Sequence, residues 1–196
     1  MPRASQARAA EHRAQVLDAA SRAIRAHGVE RLRVQQVMAD VGLTHGGFYR
    51  HFGSKDDLVA QAFASAFEER VQAVRRLVDQ AEEAGDPPRV AFLSAYLSPR
   101  HRDAPDRGCP VTALASDSAR SAPGSPLPEA FADGLRRTAD LIGALDGADR
   151  ERALVDICTA VGALTLARAC GDDPLSDELL TTALAHLTAP TGGSPA

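Results

Sequence analysis

Apolar residues recur along this 196-residue chain at helical rather than strand spacing, and glycine and proline punctuate the intervals. Between Glu11 and His27, the residues Val16, Leu17, Ala20 and Ile24 share one stripe, with Arg13, Arg22 and Arg25 off it, and Gly28 ends this first helix. Val34, Val37 and Val41 predict a short second helix, broken at once by Gly42. Leu43 then reads as a buried turn residue, Thr44 as an N-cap, and Phe48 with Phe52 as the inward face of a short third helix. Ser54 and Asp57 have capping-box spacing ahead of a long fourth helix through Leu58, Phe63, Phe67, Val71, Val74 and Val78. Gly85 to Pro88 closes it, a fifth helix spans Val90 to Leu97, and Ser98 to Gly108 reads as a polar loop. Cys109-Pro110 opens a sixth helix to Arg120, and Ser121 to Pro128 is a second loop. Helices follow at Glu129 to Leu145, Asp149 to Ala169 and Leu175 to Leu187, and Thr191 to Ala196 reads as a disordered tail. The expectation is an all-α protein of about nine helices.

Two short helices joined by a glycine turn form a helix-turn-helix pattern. What the third helix turns outward is unusual: Gly46 and Arg50 lie opposite Phe48 and Phe52, with Gly47 and Tyr49 on the flanks. Each glycine costs a helix roughly 1 kcal/mol relative to alanine, so a segment built only for stability would avoid the pair. Glycine lets a backbone approach a partner closely, which suits the sugar-phosphate edge of a DNA groove. The alternative is that Gly46-Gly47 marks a loop and no third helix forms.

Charge sharpens this picture. The net charge of −4 alone argues against nucleic acid, which demands cations to displace phosphate counterions. Residues 1–55, however, hold nine Lys or Arg against four acids, leaving 13 basic residues against 22 acids in the remainder. A basic module therefore precedes an acidic body. Lys55, the one lysine in the chain, falls in the first turn of the fourth helix.

Composition narrows the class further. A chain 44% hydrophobic and 24% charged buries a core in water, and 4% aromatic residues with no Trp lean toward helices. Cys109, Cys158 and Cys170 are an odd number without C-x-x-C spacing, which fits a reducing cytoplasm better than a disulfide framework. No apolar run follows the amino-terminal arginines, and stretches such as Ala160 to Ala167 fall short of the roughly 20 residues that span a bilayer, so no membrane partner is expected. The histidines His12, His27, His45, His51, His101 and His186 form no H-E-x-x-H or paired Cys/His cluster, so neither a metal nor another cofactor is expected. G-x-S-x-G, Walker A and G-x-G-x-x-G motifs are missing too, and pairs such as Glu68-Glu69 read as solvated helix exterior, so no catalytic residue is assigned.

The ungapped run Gly42-Leu43-Thr44-His45-Gly46-Gly47-Phe48-Tyr49-Arg50-His51-Phe52-Gly53-Ser54-Lys55-Asp56-Asp57-Leu58 resembles the DNA-binding signature of tetracycline-repressor-type (TetR/AcrR) regulators. The resemblance covers residues near 11 to 60. It implies that Gln35, at the start of the second helix, faces base edges together with His45, Gly46, Gly47 and Arg50, and that Tyr49, His51 and Lys55 contact phosphates, with Thr44 at the head of the recognition segment. One departure stands out: the family usually has Ser or Thr just before the second helix, where this chain has Leu32 and Arg33.

The same resemblance implies a DNA-binding domain over 1–55, a helical effector-binding and dimerisation domain over 56–190, repression released by a small molecule, and a homodimer through the last two long helices. Residues 153–167 are apolar nearly all round, which suits a helix covered on two faces, by its own core and by a second copy, or the central helix of a monomer. An effector pocket is expected from Phe63, Phe67, Phe92, Tyr96, Leu114 and Phe131. For Cys109 two readings stand side by side: a thiol activated at a helix start near Arg107 to sense electrophiles, or a small packing residue. A helical binding protein with an incidental basic end, or a helical enzyme without a recognised motif, leaves the glycine pair unexplained.

Overall fold

The structure, a computed structural model, describes residues 2–147 and 150–189, and the expected tail at 191–196 lies outside them. In chain order the elements are α1 (Pro2–His27), α2 (Val34–Asp40), a 3₁₀ turn (His45–Arg50), α3 (Lys55–Ala84), α4 (Pro88–Tyr96), α5 (Pro99–Arg102), a 3₁₀ turn (Pro105–Arg107), α6 (Pro110–Ala119), α7 (Leu127–Gly143), a 3₁₀ turn (Leu145–Gly147), α8 (Arg150–Cys170) and α9 (Leu175–Thr188). No strand occurs among the described residues. The all-α expectation holds, with three differences in detail. The third helix is a six-residue 3₁₀ turn, the form short segments adopt when two glycines withhold α-propensity. And the loop expected after residue 97 contains α5, started by the Ser98 hydroxyl, which accepts from the His101 N–H at 3.2 Å, with Pro99 in the first helical position. At the amino end α1 begins nine residues before the expected Glu11.

The chain folds as two compact units that are not consecutive segments. The first comprises Met1–Arg70 with Pro105–Arg136, and the second Val71–Ala104 with Arg137–Ala196. The first holds the helix-turn-helix, and α6 returns to pack on α1 within it. Val16, Ala20 and Ile24 of α1, Val37 and Met38 of α2, Phe48 and Phe52 of the turn, and Leu58 and Phe63 of α3 form one core with Leu114 of α6. Arg25 departs from the reading that placed it off the apolar stripe. Its buried guanidinium donates to the Ser21 hydroxyl at 3.1 Å and the Gly108 carbonyl at 3.4 Å, and pairs with Glu69 at 2.6 Å, so Glu69 is not merely solvated either. A charge can be buried here because each nitrogen of the planar fork meets an acceptor, Nε at the Ser21 carbonyl among them.

In the same unit the Phe67 ring lies edge-on to Phe131 at 5.7 Å and flat against the backbone of Gly134, where a Cβ would overlap the ring. Gly134→Ala is therefore expected to destabilise the protein by about 1–3 kcal/mol although alanine is the better helix former. Urea unfolding checks this: the midpoint should fall and recover in Gly134→Ala/Phe67→Leu, and a raised midpoint for the single variant would contradict the packing described.

In the second unit α8 packs along α9, and α4 also meets α9. Arg89 of α4 binds Asp156 of α8 through two hydrogen bonds, at 2.8 and 2.9 Å, and the Leu187 carbonyl of α9 at 2.9 Å. Arg168 of α8 donates to the His101 and Arg102 carbonyls, satisfying the carboxyl end of α5. By length and composition alone α8, whose most apolar 18-residue window has mean hydropathy 1.6, is long and apolar enough to cross a bilayer, which the shorter apolar runs in the sequence did not suggest. Its buried Asp156 is instead matched by protein groups, as in the core helix of a helical body.

Candidate nucleic-acid interface

The turn between α2 and the 3₁₀ segment sets the site. Gly42 is left-handed, with φ of 71°, so the chain can reverse directly after α2. Its N–H donates to the Ala39 carbonyl at 2.9 Å and the Leu43 N–H to the Met38 carbonyl at 2.8 Å, the paired bonds of a Schellman ending. Downstream, the Gly47 N–H donates to Thr44 and the His51 N–H to Phe48, both at 2.9 Å and three residues apart, while Phe52 reaches back four residues to Phe48 at 3.1 Å. The rings of Phe48 and Phe52 stack at 5.6 Å inside the core, and the Arg13 guanidinium covers Phe52 at 5.2 Å from its centroid. Two buried rings thus anchor an otherwise short and glycine-rich turn.

With those rings inward, Thr44, His45, Gly46, Tyr49 and Arg50 are exposed, and Gly47 and His51 are half-buried. Tyr49 is the extreme case: 69% exposed, its ring edge-on to Phe48 at 5.2 Å and to His45 at 6.4 Å. Neither Gly46 nor Gly47 is left-handed. A Cβ on Gly46 would meet nothing within 4 Å, and one on Gly47 only ordinary contacts with Met38 and Thr44 at 3.8 Å. Nothing among the described residues requires glycine at either position.

The caps differ from expectation. Thr44 occupies the N-cap position in extended conformation, but its side chain makes no capping bond, because the tight 3₁₀ start uses the backbone carbonyl instead. At α2 the N-cap is Arg33, likewise without a capping bond. The Ser54 hydroxyl does cap α3, accepting from the Asp57 N–H at 3.0 Å, and Asp57 accepts from the Gly53 N–H at 2.9 Å. The shorter Asp side chain reaches the residue before the cap rather than the cap itself. The Gln61 amide, then the Gly53 N–H, hold the Asp57 carboxyl below the ordinary aspartate range. A depressed pKa contributes stability that is present above that range and lost as pH falls through the lowered value. Asp57→Asn should therefore lower the melting temperature at neutral pH, with the difference from wild type closing in acid. A difference independent of pH would count against this box.

Gln35, exposed at the start of α2, His45 and the half-buried Lys55 line one cleft of about 1120 Å³. The same cleft includes Arg31 and Arg33, both exposed, which the sequence reading did not select. The signal that could have found them was an arginine standing where a helix wants a capping oxygen.

The residues expected around an effector fall into separate groups. Phe63 and Leu114 fill the helix-turn-helix core, Phe67 and Phe131 meet in the same unit, and Cys109 is buried at the head of α6. Phe92 and Tyr96 belong to the second unit, where their rings lie 5.7 Å apart and Tyr96 stands against His101 at 4.7 Å. Arg107, the cation expected near Cys109, is exposed and 3.7 Å from Asp106. Among the described residues no group of three or more His, Cys, Asp or Glu is assembled to hold a metal.

A basic, glycine-bearing turn held outward on a helix-turn-helix defines a DNA-binding protein. The profile of bacterial regulatory proteins of the tetR family matches residues 16–62, the segment that holds the helix-turn-helix. A search of curated protein sequences gives no match. Among solved structures, a TetR transcriptional regulator from Chloroflexus aurantiacus J-10-FL is similar with TM-score 0.72 and 25% identity, covering 92% of this chain and 93% of that one. A TetR-family regulator from Agrobacterium tumefaciens gives TM-score 0.73 at 22% identity over 92% and 100% of the two chains. The reduced form of NemR from E. coli gives 0.72 at 19% over 91% and 95%. The last two likenesses show the shared fold.

Proposed function

We propose that this chain is a cytoplasmic repressor that binds a pseudo-palindromic operator as a homodimer and leaves it when a small molecule binds. The observation that carries the DNA reading is the Gly46-Gly47 pair, exposed at Gly46 and half-buried at Gly47, which costs local stability and meets no need among the described residues. In this reading Gln35, His45, Gly46, Gly47 and Arg50 face base edges, and Tyr49, His51 and Lys55 face phosphates, with Thr44 alongside. Residues 1–55 supply the DNA contacts and 56–190 the effector response and the dimer.

The dimer is supported by α8. Leu154, Val155 and Leu166 are 40%, 58% and 56% exposed, and Cys158, Thr165 and Ala169 continue the same stripe at helical spacing. An apolar stripe of this length suits burial against a second copy, and two recognition turns about one DNA turn apart would read both half-sites. Mobility-shift titration against duplexes selected by the wild-type chain tests the whole reading. Two chains should bind per site; Tyr49→Ala and Lys55→Ala should weaken all sequences alike, while Arg50→Ala and His45→Ala should relax base preference. Leu166→Glu should give a folded monomer by light scattering, with operator affinity down about tenfold or more. A wild-type chain that is monomeric at micromolar concentration and binds a half-site as well as a full site would refute the dimer.

The effector is either covalent or not, and Cys109 separates the two. An electrophile would alkylate the thiolate with loss of its proton, and Cys109→Ser would then hold the operator. Release that survives the substitution assigns the response to a non-covalent ligand, which the burial of Cys109 favours.

A further inference from the structure

The helix-turn-helix breaks local rules at a second place besides the glycine pair. Arg33 stands at the N-cap of α2 with no capping bond, although Ser, Thr, Asp or Asn would each satisfy an amide there. A cation at that end of a helix also opposes its dipole. One of its donors returns to the Glu30 carbonyl at 2.9 Å, and the residue stays exposed. Arg31, two residues earlier, is exposed as well. Both line the cleft that holds Gln35, His45 and Lys55. Two acids of that cleft are ion-paired within the protein, Asp18 with Arg22 at 2.9 Å and Asp106 with Arg107 at 3.7 Å, and the third, Asp40, accepts from the neutral Gln36 amide at 2.6 Å. What remains is Arg31, Arg33 and Lys55 against the single carboxylate of Asp40, a concave surface whose balance of charge is positive.

We propose that Arg31 and Arg33 grip the DNA sugar-phosphate backbone in this cleft, extending the contact surface from the recognition turn to the approach of α2. The proposal rests on the DNA reading above and adds to it two phosphate ligands that lie outside the signature run of residues 42–58. A guanidinium presents a planar fork matched to phosphate oxygens, so the capping bond given up at Arg33 is exchanged for charge-assisted bonds to DNA. Such contacts carry no sequence information and are read in the salt dependence of binding.

The experiment uses the full-length chain and a random-sequence duplex of about 30 base pairs, titrated over a series of KCl concentrations. Arg31→Gln and Arg33→Gln should each bind more weakly, and each should flatten the log affinity against log salt slope by about 0.9 per bound copy. Arg33→Lys should keep most of the slope. Arg33→Thr, which restores a capping hydroxyl, should melt at a higher temperature and yet bind with the flattened slope, so loss of fold cannot mimic the result. Arg75→Gln, exposed on α3 outside the cleft, should match wild type. Slopes for both cleft variants equal to that of Arg75→Gln would overturn the proposal while leaving the recognition turn intact. A wild-type chain that binds no duplex at all would overturn the DNA reading and this proposal with it.

Discussion

Gly46→Val is expected to leave the fold in place and weaken operator binding by roughly 30-fold or more. The first half follows from geometry: a Cβ at Gly46 meets nothing within 4 Å, and the backbone there is not left-handed. For Gly46→Ala the same geometry predicts a gain of about 0.5–1 kcal/mol, because the unfolded chain loses freedom that the folded turn never used. The second half follows from the position of the residue. Gly46 is exposed between His45 and the Phe48 ring that holds the turn inward-facing, so added bulk stands between the backbone and DNA. Losing one close contact in each half-site at about 1 kcal/mol or more gives about 2 kcal/mol, which is roughly 30-fold. Thermal unfolding and mobility shift on the same preparations decide it. A valine variant that binds as tightly as wild type would mean that DNA approaches another face, and one that fails to fold would mean that the glycines serve the turn itself.

The opposed signs of those two effects explain why the recognition segment was legible in the sequence. Buried apolar residues at helical spacing and a left-handed Gly42 are local signals, and they fixed α1, α2 and the turn without reference to distant residues. The failures were of two kinds. Where several weak propensities compete over few residues, the form could not be read: His45–Arg50 is 3₁₀, and the Thr44 hydroxyl does not cap it. Where a residue's partner lies far along the chain, its role was invisible. Arg25 stood off the apolar stripe with nothing nearby to mark it as buried, because Glu69 and the Gly108 carbonyl, which justify burying it, are 44 and 83 residues away. The same distance effect hid the composition of the first unit, since α6 joins α1 only in the folded chain. Arg33 belongs to neither kind. Its misfit with the start of α2 was legible, and only the cleft it shares with Lys55 gave that misfit a use.

Arg89→Met should cost about 3–5 kcal/mol, the largest stability effect expected from a single side chain here. The side chains of Arg89 and Asp156 are only 7% and 5% exposed, and their fork-to-fork bonds at 2.8 and 2.9 Å are the compensation for removing two charges from water. Truncating the arginine leaves the carboxylate buried without a partner and removes the donor to the Leu187 carbonyl, so α4, α8 and α9 lose their shared polar contact together. Asp156→Leu should cost a similar amount by stranding the guanidinium. The double variant Arg89→Met/Asp156→Leu should be closer to wild type than either single variant, because an apolar pair of similar volume requires no desolvated charge. Chemical denaturation of the four proteins forms a double-mutant cycle, and a double variant as destabilised as the sum of the singles would show that the pair is not coupled. DNA binding separates this role from that of the helix-turn-helix: under conditions where the variants remain folded, the salt slope should match wild type, since neither residue lies in the unit that carries the recognition turn.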